Sequence, residues 1–216
     1  MYSLVIFGFL VFQCVEKESV NQNLESPAQQ DKAIGILRLR EVDEEATSQK
    51  EAVQKAIDDL KASGTMSNKE MLNGTKVSEY LSTNHPELLR AGSAFRWQYK
   101  RGQGADEAST AERESFILKA QVLEIEIKEA ILAWGANGAS YISIELTQKS
   151  GKDFAQITKD NVGKRFAIIH DEMVLTAPVI RSVINGGRIA IDAGSKVSDK
   201  SGKENKWLLE KLISNK

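Results

Sequence analysis

The chain has 216 residues, 41% of them hydrophobic and 27% charged, with a formal net charge of −1. That length can bury a full core in one or two domains, and the balanced charge excludes the basic face that neutralising nucleic-acid phosphates requires. One cysteine, Cys14, and two histidines, His85 and His170, leave no internal disulfide and no cysteine- or histidine-rich metal site.

Residues 4–15 are almost wholly apolar. The run fits a signal-peptide core and falls short of the ~20 residues of a membrane-spanning helix. No Lys or Arg precedes it and no small-x-small cleavage site follows. Cys14 stands where a bacterial lipoprotein carries its acylated cysteine, although Gln13 replaces the usual small residue before it. Three readings stay open: a lipid-anchored protein cut before Cys14, a secreted or N-terminally anchored protein, and a buried apolar N-terminus. The first two place the body of the chain outside the cytoplasm, on the periplasmic side of a bacterial envelope. Residues 1–15 are read as this signal, and the polar residues 16–32 as a flexible tether.

An N-terminal α+β region is expected over residues 33–104. Ile34, Ile36, Leu37 and Leu39 alternate with polar residues and predict a short strand through Val42. Asp43 or Thr47 can cap the next helix, whose Val53, Ala56, Ile57 and Leu60 form one apolar stripe that stops at Gly64. A helical turn is expected over residues 76–81, a loop over 82–86 and a short helix over 87–90. Phe95, Trp97 and Tyr99 alternate with Arg96, Gln98 and Lys100 and predict a strand with a buried aromatic face. Residues 102–106 read as a loop.

A second α+β region is expected over residues 105–216, compact with the first or separate from it. Residues 116–118 read as strand. Residues 123–134 fit both alternation and a helical stripe, and periodicity leaves the choice open. A turn at Ala136-Asn137-Gly138 leads into a strand over 141–146. Ser150, with Asp153 three residues on, predicts a capped helix start, with Phe154, Ile157 and Val162 facing the core. Gly163 can take the left-handed conformation that ends this helix. Residues 166–169 are a continuous apolar run, expected as a central strand covered on both faces. Asp171-Glu172 turns the chain back through residues 173–175. Pro178, which has no N–H for a ladder, belongs at an edge or bulge. Residues 179–184 follow, Asn185-Gly186-Gly187 reads as a hairpin-type turn, and Ile189 and Ile191 form a last strand. Trp207, Leu208, Leu209 and Leu212 predict a closing helix. The order of elements argues for α+β with a mainly antiparallel or mixed sheet and a few helices.

No nucleophile elbow, phosphate loop or dinucleotide fingerprint is present, and carboxylate pairs such as Asp58-Asp59 sit on solvated faces. No catalytic residue, cofactor or metal is expected.

The segment Asn161-Val162-Gly163-Lys164-Arg165-Phe166-Ala167-Ile168-Ile169, followed by Asp171, by Ala177-Pro178-Val179-Ile180 and by Ile184-Asn185-Gly186-Gly187, resembles the head subdomain of the first periplasmic domain of the SecD protein-export subunits. Phe154-Ala155-Gln156-Ile157-Thr158, Ile127-Lys128-Glu129-Ala130 and the strand over 141–146 extend the resemblance, which covers residues 120–194. Gly163, Asp171, Pro178, Gly186 and Gly187 are its turn and motif positions. The family usually has Asp-Gly where this chain has Asp171-Glu172, a glycine near Glu124, and a glycine one residue before Gly194. The family's transmembrane helices, which use the proton gradient, have no counterpart in this sequence. The resemblance therefore implies the fold and a non-catalytic part in handling translocating or unfolded polypeptide, and no motor activity. The expected partner is a polypeptide or protein of the envelope, with the membrane reached only through the N-terminus. A self-assembling envelope lipoprotein is the alternative, and a hydrolase with an unrecognised site comes third.

Overall fold

The computed structural model describes residues 32–98, 113–192 and 202–214. Cys14, the tether up to residue 31, Tyr99 and Lys100 of the expected aromatic strand, the loop over 102–106 and Gly194 lie outside these. Among the described residues no helix is long and apolar enough to cross a membrane.

The first strand, β1, spans Gly35–Glu41. Asp43 then caps α1, Glu44–Ser48, its carboxylate accepting from the Ala46 N–H at 3.0 Å. The expected single helix is two, because the backbone turns at Gln49 before α2, Lys50–Ser63. Thr47 caps nothing. Its hydroxyl instead accepts from the Ile117 N–H at 3.1 Å. α2 buries the predicted stripe of Val53, Ala56, Ile57 and Leu60 and ends at Gly64, φ 66°.

Residues 65–92 are more helical than their weak pattern suggests. α3, Asn68–Met71, starts at a reciprocal Ser67–Glu70 capping box. α4, Gly74–Asn84, is capped by Asn73 and runs through most of the expected loop. The helix expected over 87–90 is a set of turns that buries Leu88 and Leu89.

Seven further strands follow: β2, Ala94–Gln98; β3, Ser115–Leu118; β4, Leu123–Trp134; β5, Ser140–Leu146; β6, Phe166–His170; β7, Met173–Thr176; and β8, Arg188–Ile191. Two helices complete the set, α5 at Gln148–Asp160 and α6 at Lys203–Ser214. All eight strands join one mixed sheet in the order β3-β2-β7-β6-β1-β4-β5-β8. Among the described residues only the β2–β7 pairing is parallel. The fold is α+β. β1 lies between β6 and β4, so the sheet runs unbroken through both halves of the sequence.

Residues 123–134 are strand, and a bulge explains the ambiguous pattern. Ile127 pairs with Leu146, but the next partner, Glu145, faces Glu129. The extra residue shifts the alternation. Ile125 and Ile127 are buried, and Ala130 packs against the same core, at helix-like i, i+3 spacing. Ile131 points the other way and is 50% exposed.

One core joins Leu37, Leu39, Ile125, Ile127, Ile142, Ile144, Phe154, Phe166 and Ile168 with Leu208 and Leu212 of α6. The opposite side of this half of the sheet is solvated and carries the ion pairs Arg38–Glu124, Lys128–Glu145 and Glu145–Arg188. A second core gathers Phe95, Trp97 and Ile117 against α2, α3 and α4. β6 is buried along its whole length, with Ala167 and Ile169 meeting Val42, Phe116, Leu118 and Val174. His170, at its end, is 7% exposed, and neither ring nitrogen has a hydrogen bond. A carboxylate oxygen of Asp171 stands 3.6 Å from Nε2, beyond hydrogen-bond reach.

Candidate functional site

A cavity of about 300 Å³ opens between α5, the sheet and the irregular strap of residues 177–187. Leu39 of β1, Phe166 and Ile168 of β6 and Ile189 of β8 form its floor, Phe154 and Ile157 of α5 one wall, and Pro178, Ile180 and Ile184 of the strap the other. Such a lining suits apolar side chains and offers few polar groups to orient a ligand. Arg181 and Ser182 are its polar contributions from the strap, while Val179 of its lining and Val183, next to Ser182 in the strap, stay exposed. An apolar rim around an apolar cavity is the mark of a contact surface.

The strap is held at both ends. The Phe166 N–H donates to Pro178 O at 3.0 Å, the Ile180 N–H to Lys164 O at 2.9 Å and the Gly163 N–H to Ile180 O at 2.8 Å. Downstream, the Leu146 N–H donates to Gly187 O at 2.8 Å. Gly187 has φ 58°, and a Cβ there would stand 3.4 Å from Gly151 Cα, so the strap's end lies backbone to backbone on the first turns of α5. In between, the Ile184 N–H donates to Thr158 Oγ1 at 3.0 Å.

Four of the motif positions meet here. Gly163, φ 88°, donates to the strap; Pro178 lines the cavity; Gly186 and Gly187 close the strap. Asp171, φ 51°, does not join them. It is the first residue of the β6–β7 turn, next to Glu172, whose carboxylate accepts from Thr75 Oγ1 at 2.6 Å.

Three local expectations need correction. The helix cap is Thr147, whose hydroxyl accepts from the Ser150 N–H, while the Ser150 hydroxyl accepts from the Glu126 N–H at 2.8 Å and ties α5 to β4. Val162 is 52% exposed, because α5 ends at Asp160 and a turn carries it out of the core. Asn185-Gly186-Gly187 makes no hairpin. β8 pairs with β5, so these residues end a crossing strap.

A second, polar hollow of about 450 Å³ adjoins the first and shares Ile157 and Phe166 with it. Its charges are largely paired. Lys119 lies 2.6 Å and Lys164 3.5 Å from the Glu41 carboxylate, Arg38 takes Glu124, and Lys149 takes Asp153. The hydrogen bond to Glu41 raises the Lys119 pKa. No metal-binding group of carboxylates, histidines or cysteines forms among the described residues.

Thr158 and the strap's Arg181 and Ser182 are site residues that the sequence did not single out. Phe154, Ile157 and Thr158 fall at i, i+3 and i+4 on α5, and a threonine completing an apolar stripe was the available signal.

Apart from Leu39 of β1, the residues that line the cavity, the strap included, lie within a stretch that has known relatives. Residues 104–202 match the family model of the SecDF P1 head subdomain. The chain is 37% identical to the SecDF protein translocase subunit of Thermus thermophilus over 76 residues, 35% of this chain and 10% of that protein. It is 35% identical over 83 residues to the SecD subunit of Rickettsia conorii, covering 38% of this chain and 16% of the relative. The SecD subunit of Calditerrivibrio nitroreducens is 47% identical over 51 residues, 24% of this chain and 10% of that one. The chain thus spans about a tenth to a sixth of the length of these relatives. A solved structure of SecDF, described as a membrane component that enhances protein export, aligns over 89% of this chain and 73% of its own at 22% identity and a TM-score of 0.41.

Proposed function

We propose that this chain is a non-catalytic binding module on the periplasmic side of the cell envelope, where it takes an extended segment of unfolded or translocating polypeptide in the cavity beneath the strap. The observation that carries the reading is the apolar cavity, built from the SecDF P1 head-like segment together with Leu39 of β1 and edged by exposed valines of the strap. β8 supports it. Among the described residues no strand pairs with its outer edge, and its Ile189 forms part of the cavity floor. A strand added along β8 would set alternate side chains on the cavity's face of the sheet.

The test is fluorescence anisotropy with a fluorescein-labelled peptide of alternating Leu and Ser. Wild type binds, and Ile157→Asp, which places a carboxylate in the apolar wall, binds at least about tenfold more weakly. Absence of binding by wild type, or equal binding by the variant, overturns the reading. The open β8 edge also admits self-assembly as a second reading, and a stable oligomer in light scattering that no peptide dissociates would favour it.

Attachment to the membrane through a lipid on Cys14 belongs to the same proposal. Labelling of cells with radioactive palmitate is expected to mark wild type and to miss Cys14→Ala, and equal labelling refutes it.

A further inference from the structure

Resting on that reading of the cavity, we infer that Thr158 is the positioning residue that sets the cavity's aperture, by latching the strap to α5. Thr158 is 1% exposed and lies in the last turn of α5. Its hydroxyl both donates and accepts. The proton goes to Ala155 O at 3.0 Å, and one of the oxygen's two lone pairs takes the Ile184 N–H at 3.0 Å. Upstream of that bond, the strap's backbone ties end at Ile180; downstream, the next is at Gly187. Arg181, Ser182 and Val183 between them are exposed. The Thr158 bond is therefore the attachment midway along the strap, and it holds Ile184 against the cavity wall.

The consequence follows from the geometry. With the latch made, Ile184 and Ile180 face Phe154 and Ile157 across a formed cavity. With it broken, the span between Ile180 and Gly187 has no fixed point on α5, and a ligand must order the strap as it binds. The apparent affinity falls by the fraction of time the strap is seated. The hydroxyl is what matters and not the bulk, because valine is nearly isosteric with threonine and cannot accept a hydrogen bond.

The experiment compares wild type, Thr158→Val and Thr158→Ser in the full chain. Amide hydrogen exchange at Ile184 is expected to speed up by about 10- to 100-fold in the valine variant, the fold-change of one lost hydrogen bond. Exchange at Leu37 in β1, far along the chain from the latch, reports global stability and should change much less. The Leu-Ser peptide should bind Thr158→Val about tenfold more weakly, and Thr158→Ser should restore both measurements. Exchange at Ile184 unchanged in Thr158→Val, or a change matched at Leu37, overturns the latch, as does failure of Thr158→Ser to rescue. If wild type does not bind the peptide, the functional reading falls while the exchange comparison still decides the role of Thr158.

Discussion

Trp97→Ala is expected to lower the unfolding free energy by about 3–5 kcal/mol, measured by urea denaturation. Trp97 is 1% exposed in β2. Its ring meets Phe95 edge-on, with centroids 4.8 Å apart at 90°, and its indole N–H donates to Met71 O at 2.8 Å. The substitution therefore removes three things at once: the area the indole buries, the aromatic contact, and the partner of a buried carbonyl at the end of α3. Trp97→Phe separates them. It keeps most of the packing and should cost about 1–3 kcal/mol, the range for a carbonyl left unpaired. The location adds a second expectation. Trp97 precedes the segment that matches the SecDF P1 head, yet β1 from the same N-terminal part lies in the middle of the sheet. Damage at Trp97 should therefore shift a single transition, not open a separate early one. A loss below about 1 kcal/mol, or a split transition, would show that the α2–α4 layer folds apart from the rest.

What could be read in the sequence divides along a physical line. Signals complete within one element were legible. The stripe of α2 with its stop at Gly64, the Phe95 and Trp97 face of β2, and the fully buried run of β6 each need only their own residues and the period of the element. The turn at Asp171-Glu172 was legible for the same reason, being two residues between two apolar runs. Signals that depend on a distant partner were not. The bulge in β4 exists because of its pairing with β5, and without the partner its spacing imitates a helix. Ser150 looks like a cap, but its hydroxyl is taken by the Glu126 N–H of a different element, and Thr147 does the capping. The Asn185-Gly186-Gly187 turn looks like a hairpin until β8 is found beside β5. The site divides in the same way. Gly163, Pro178 and Gly187 announce themselves as backbone devices. The cavity they shape has walls from β1, α5, β6, the strap and β8, and no single stretch of sequence contains it.

Arg40→Ala is expected to destabilise the fold by about 2–3 kcal/mol, through a void and carbonyls left without a donor. Arg40 is 8% exposed, and no carboxylate is bonded to it among the described residues. Its guanidinium is held by backbone alone: Nε donates to Lys119 O at 2.7 Å, and Nη2 to Gly92 O at 2.9 Å, to Leu118 O at 3.4 Å and to Lys119 O. One side chain of β1 thereby ties the loop before β2 to the end of β3. Burial, with the neighbouring Arg96 charge as a lesser cause, lowers its pKa from the ordinary guanidinium range to about 10. The group is still charged at neutral pH, so the clamp operates there against a desolvation penalty. The sign of the pH dependence follows. The pKa of Arg40 is lower in the folded state, about 10, than in the unfolded chain, so unfolding takes up a proton above that pH and the wild type gains stability as pH rises. The alanine variant lacks that gain. The stability gap between the two should therefore widen from pH 9 to about 11. A gap that narrows over that range would mean that the guanidinium is better solvated than its backbone cage implies, and a gap near zero at neutral pH would mean that water replaces the cage without loss. Arg40→Met fills the void without supplying a donor. Its stability should lie between wild type and alanine, and the distance of each from the other measures how much of the clamp is packing and how much is hydrogen bonding.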